Sequence, residues 1–162
     1  MKTAALLERI ERDWRAARPD IDPTPMLTVI AIQRTSALLQ MELDAFFSAH
    51  DLTPAGFDVL ATLRRSAPEI GLPLARLGQL MAVTPPAVTK RVDALEVRGL
   101  VSREAHETDR RAFRLRLTPA GRKLADDILE GHVANEERLL SALTQKERRT
   151  LRDLISRIPS SQ

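Results

Sequence analysis

Between residues 73 and 99 the chain offers two helices with almost nothing between them, and this junction constrains the fold more than any other feature of the 162 residues. Pro73 opens a short helix to about Met81 on Leu74, Leu77, Leu80 and Met81, and Ala82-Val83 leads directly into Thr84-Pro85-Pro86. Threonine caps a helix start, and proline suits the first helical position, where its missing N–H is no loss. Gly99 then stops the second helix, as a glycine just past a helix end does. Two helices joined by so short a turn do not lie parallel, so the pair is a helix-turn-helix with residues 84–98 as its second member.

On that second helix Val88, Val92, Leu95 and, more loosely, Val97 form an apolar stripe, while Thr89, Lys90 and Arg91 fall near its N-terminal end on a polar face. Hydroxyl and basic groups in the first turns are what reading a DNA major groove requires. An ordinary amphipathic helix with solvated charges would use the same residues, so the neighbours decide. Overall there are 25 Lys and Arg against 22 Asp and Glu, a net charge of +3, too mild alone to mark a nucleic-acid binder. Between Thr84 and Thr118, however, eight bases face five acids, and the rest of the chain is balanced, so the whole excess sits in one stretch.

The remaining chain reads as mainly helical, with aromatic content of 3% and few β-branched runs. Residues 3–18 form a helix on Leu7, Ile10, Trp14 and Ala17, and the prolines at 19, 23 and 25 make a linker after it. A longer helix over 25–49 has apolar residues around most of its circumference, suiting one face to the domain and another to a partner. Thr53-Pro54 starts a core helix over 54–66 that carries Asp58, and 66–71 is a loop. After Gly99, residues 100–103 and the alternating 113–117 make a β-hairpin wing, with Phe113, Leu115 and Leu117 inward and Arg114 and Arg116 outward. Thr118-Pro119 begins a long helix to about Leu143, and Thr144-Gln145-Lys146-Glu147 has capping-box spacing before a last helix on Leu151, Leu154, Ile155 and Ile158. The expected architecture is a winged helix-turn-helix over 53–118, a helical dimerisation region from 25–52 and 119–162, and an extra N-terminal helix with its linker over 1–24. Apolar surface in excess of a winged-helix core implies a homodimer, whose two recognition helices would read a palindromic operator.

No apolar run approaches the ~20 residues that span a bilayer, and a soluble cytoplasmic protein is expected. There is no cysteine, which excludes disulfides and thiolate metal sites. His50, His106 and His132 are widely spaced, with no metal-ligand cluster and no Gly-rich phosphate loop, so neither a metal nor an enzyme is expected and no cofactor is implied.

The run from Val88 to Arg103 and the wing Asp109-Arg110-Arg111-Ala112-Phe113-Arg114-Leu115-Arg116-Leu117-Thr118 resemble the MarR family of dimeric winged helix-turn-helix repressors. The resemblance implicates Thr84, Thr89, Lys90 and Arg91 in the major groove, and Asp109 with Arg111, beside Arg110, at the minor groove, where a neighbouring carboxylate orients a guanidinium. The Trp-bearing N-terminal segment is similar to the urate-responsive, HucR-like and PecS-type members of that family. Their resemblance implies an effector site of Trp14, Asp58, Arg91 and Arg103, taking urate or a similar purine or organic anion. Phe57 stands beside Asp58 where the urate sensor has a tryptophan, which leaves the ligand open. Two plainer readings stand beside this one: an Asp58–Arg91 or Asp58–Arg103 salt bridge that only braces the fold, and a winged-helix DNA binder with no small-molecule effector.

Overall fold

A computed structural model describes residues 3–105 and 113–158, and the chain forms two compact units, Met1–Ala45 and Phe46–Gln162. The first unit holds helix α1 (Thr3–Ala17) and most of α2 (Thr24–Ser48). The prolines break the chain between them, and the Asp22 carboxylate starts α2 by accepting from the Thr24 N–H at 3.0 Å and its hydroxyl at 2.6 Å. Met26, Val29, Ile32, Leu38 and Met41 of α2 are exposed.

The second unit runs α3 (Pro54–Ser66), β1 (Leu72–Pro73), α4 (Leu74–Met81), α5 (Pro85–Val97), β2 (Val101–Ala105), β3 (Phe113–Leu117), α6 (Pro119–Leu139) and α7 (Gln145–Ile155). Its core centres on α3, whose Phe57, Val59, Leu60 and Leu63 are buried and which packs against α4, α5, α6 and β3. Leu77, Val88, Val92, Leu95, Val101, Leu115 and Ile128 complete it. The antiparallel sheet has strand order β1-β3-β2, with Leu72 opposite Leu115 and pairs from Val101–Leu117 to Ala105–Phe113. Mainly helical with a small antiparallel sheet, the fold class is the expected one.

Several details differ from expectation. β1 was not foreseen: a strand of two residues has no alternation to read, and its Pro73 is tolerated because the strand lies at the sheet edge. Val97 is 89% exposed and outside the α5 stripe, and Phe113, at the outer end of the β2–β3 ladder, is 51% exposed rather than inward. α6 stops at Leu139, four residues early, and α7 stops at Ile155.

Threonine hydroxyls accept the Gly56 N–H at the start of α3 and the Gly121 N–H at the start of α6, both at 3.0 Å, and Thr144 with Glu147 closes a full capping box. Thr84 was expected to cap α5, but its side chain makes no capping hydrogen bond. With Pro86 at the second helical position, only the Ala87 N–H remains as a target. At the other end Gly99 (φ +68°) closes α5: the Leu100 N–H reaches the Leu95 carbonyl at 3.0 Å and the Gly99 N–H that of Glu96 at 2.8 Å. The Thr118 hydroxyl also donates to the Gly99 carbonyl at 2.7 Å, tying the end of α5 to the start of α6.

α4 ends in the same motif without a glycine, since Ala82 takes φ +52° while the Val83 N–H reaches the Gly78 carbonyl at 3.1 Å. A left-handed alanine is strained by roughly 1 kcal/mol. Ala82→Gly is therefore expected to raise stability by about 0.5 kcal/mol after the entropy of the freer glycine is set against the strain, a rise of ~1–2 °C in a thermal melt. A lowered melting temperature would show that Ala82 is not strained.

Candidate functional site

The start of α5 is the most open polar surface of the helix-turn-helix. Thr84 and Lys90 are exposed, and Lys90 has no hydrogen-bond or ion-pair partner among the described residues. Thr89 donates its hydroxyl to the Pro85 carbonyl one turn back at 3.0 Å, leaving its oxygen lone pairs outward.

Arg91, one residue after Lys90, lies about 100° further round the helix and reaches toward α3. Its guanidinium lies 3.9 Å from the Asp58 carboxylate of α3, and it lines a cavity of about 320 Å3 with Ser48, Asp51, Thr53 and Arg98. Asp58 is steadied by the buried Thr62 hydroxyl at 3.4 Å. A half-exposed pair at 3.9 Å is worth well under about 1 kcal/mol, so it is easily exchanged for another anion.

Arg103 is placed differently. At the start of the wing it donates to the Glu96 carboxylate at 2.6 Å and to that of Asp93, both on α5. The structure thus brings Asp58 and Arg91 together and gives Arg103 two other carboxylates, fastening the wing to the recognition helix. Trp14 lies on α1, in the first unit, 37% exposed. Asp109, Arg110 and Arg111 lie outside the described residues.

The wing arginines Arg114 and Arg116 both have partners within the second unit: Arg114 donates to the Gly71 carbonyl at 3.2 Å, and Arg116 pairs with Glu104 at 3.0 Å across the β2–β3 ladder. Sequence reasoning missed Asp93 and Glu96 as partners of Arg103, although their three-residue spacing puts both on one side of α5. It also missed Arg98, whose guanidinium donates to the Asp51 carbonyl at 2.6 Å and so holds the start of α3 against the end of α5. Among the described residues no group of His, Asp or Glu side chains converges as a metal site, and no helix is long and apolar enough to cross a membrane.

These elements define a winged helix-turn-helix protein with an exposed hydroxyl and basic surface on its second helix. Residues 50–112 match the model of the MarR family. The chain is 36% identical over 149 residues to the HTH-type transcriptional regulator PecS of Dickeya dadantii, covering 92% of this chain and 90% of that one. It is 32% identical to the HTH-type transcriptional repressor MdtR of Bacillus subtilis, covering 73% and 74% of the two. In fold it is similar to a mutant MarR from E. coli solved in complex with operator DNA, at a TM-score of 0.73 and 23% identity, over 86% of this chain and 99% of that one. The chain belongs to the MarR family of helix-turn-helix transcriptional regulators. Its relatives regulate transcription and are not enzymes.

Proposed function

We propose that the protein is a homodimeric, cytoplasmic transcriptional repressor that binds a palindromic operator in double-stranded DNA and is released from it by urate or a related small planar anion. The observation that carries the effector is the placement of Arg91: on the recognition helix, turned inward, loosely paired with Asp58 and lining a cavity. In this reading residues 53–118 engage DNA, with Thr84, Thr89 and Lys90 in the major groove and Asp109, Arg110 and Arg111 at the wing. Residues 25–52 and 119–162 form the dimerisation region. The exposed Leu151, Leu154, Ile155 and Ile158 at the C-terminal end, and separately the exposed apolar residues of α2, each support a partner surface.

The mechanism follows from charge. A planar anion binds the Arg91 guanidinium in two parallel hydrogen bonds, which outcompete a contact at 3.9 Å. Asp58 then faces a negative ligand and is repelled. Arg103 joins the anion only by leaving Asp93 and Glu96, which loosens the wing from α5. The anion lowers operator affinity because it binds this displaced arrangement more tightly than the DNA-competent one.

The test is a fluorescence-anisotropy titration of operator DNA with and without urate. A coupling of 1–3 kcal/mol, typical of allosteric sites, predicts at least about a fivefold loss of affinity at saturating urate. Trp14→Phe, which tests the part that the resemblance gives to α1, is expected to raise the urate concentration needed by about threefold, because phenylalanine offers a smaller stacking face. If millimolar urate leaves operator affinity unchanged, the protein is a winged-helix regulator without this effector.

A further inference from the structure

The leading end of α5 is chemically unlike the rest of the candidate DNA surface. Pro85 and Pro86, its first two residues, are exposed and carry no N–H, and the Val88 N–H is already bonded to the Thr84 carbonyl at 3.1 Å. A helix start normally offers a row of free N–H donors to an acceptor such as a phosphate or a purine N7; here two of them are absent. Behind Pro85 a shallow groove of about 530 Å3 is walled by Leu74, Ala75, Gly78, Ala82, Val83 and Pro85, with Gln79 and Thr84 as its polar members, and it is predominantly apolar. The exposed Arg76 of α4 and Lys90 of α5 stand on the two helices that frame it, so an apolar patch sits within a positively charged surface. That combination suits one partner, an apolar group carried on a polyanion.

We infer that the Pro85-Pro86 head of α5 is a specificity element that reads the 5-methyl group of thymine in the major groove. This rests on the reading above that α5 enters that groove. Among the four bases only thymine presents an apolar group there, and the others present donors and acceptors that the rings of Pro85 and Pro86 cannot satisfy. A cytosine amino group or a guanine O6 set against the two prolines loses its water without gaining a partner, so the same surface selects against those bases. Thr89 and Lys90, one turn further along, read hydrogen-bonding edges or phosphates, and the two parts of the helix divide the recognition between shape and polarity.

The experiment selects bound duplexes from a random library, using the full chain, and then replaces each thymine of the enriched sequence in turn by deoxyuridine, which keeps every hydrogen bond and removes only the methyl. One or two positions in each half-site are expected to lose three- to tenfold in affinity, in line with the burial of a single methyl group. Pro86→Ser is expected to flatten that difference, binding thymine and deoxyuridine duplexes within twofold of each other. If the protein binds an enriched sequence specifically but no deoxyuridine substitution matters beyond twofold, the thymine inference is wrong and the DNA reading stands. If no sequence is enriched at all, α5 does not read the groove, and both fall together.

Discussion

Gly121→Ala is expected to destabilise the second unit by about 3 kcal/mol or more, a large share of the roughly 5–15 kcal/mol that holds a domain of this kind folded. A Cβ at position 121 would lie 1.9 Å from the Leu100 carbonyl oxygen and 2.8 Å from its carbon, and both are backbone atoms that cannot rotate aside. To make room, α6 must withdraw from the turn after α5. That withdrawal breaks the hydrogen bond from the Thr118 N–H to the Leu100 carbonyl, 3.1 Å, and strains the one from the Thr118 hydroxyl to Gly99. The gain in helix propensity on replacing glycine is at most about 1 kcal/mol and does not offset this. Urea denaturation followed by far-UV circular dichroism measures it, and an unfolding free energy within about 1 kcal/mol of the parent protein's would show that the approach of α6 to Leu100 is not so close.

The second large effect is on DNA rather than on folding. Lys90→Glu is expected to lower operator affinity more than about tenfold and to reduce the slope of log affinity against log salt by roughly one to two, because it removes one cation from the phosphate-facing surface and adds a repelling charge. Lys90 is the right probe because it is exposed and unpartnered among the described residues, so its reversal breaks no contact described in the fold. Reversing Arg103, by contrast, would set it against Asp93 and Glu96 and confound folding with binding. Anisotropy titrations over a range of KCl concentrations provide both numbers, and an unchanged slope would remove Lys90 from the interface.

The fold was legible wherever the chain carries its own punctuation. Three Thr-Pro starts, a capping box and one glycine stop bound α3, α5, α6 and α7, and the three- and four-residue spacing of Leu60, Leu63, Val88, Val92 and Leu95 fixed which sides face the core. What escaped was non-local. β1 exists only because β3 is beside it, and nothing in Leu72-Pro73 alone announces a strand. The candidate site was legible as a set of residue types but not as a set of partners. Sequence reading weighs only Asp58 as a carboxylate for Arg103, whereas its partners are Asp93 and Glu96, because the turn at Gly99 doubles the chain back so that β2 runs beside the last turns of α5. In the same way, alternation showed Arg114 and Arg116 to be on the polar side of the wing, but not that Gly71 and Glu104 engage them.

The Thr118 hydroxyl, which grips the last carbonyl of the α5 turn while capping α6, makes the junction a stiff joint between the recognition helix and a shaft of 21 residues. Such a shaft is roughly 30 Å long, so a swing of about 5° about its far end carries the joint through nearly 3 Å, close to the rise of one DNA base-pair step. The pitch of α6 is therefore a length gauge for the recognition helix.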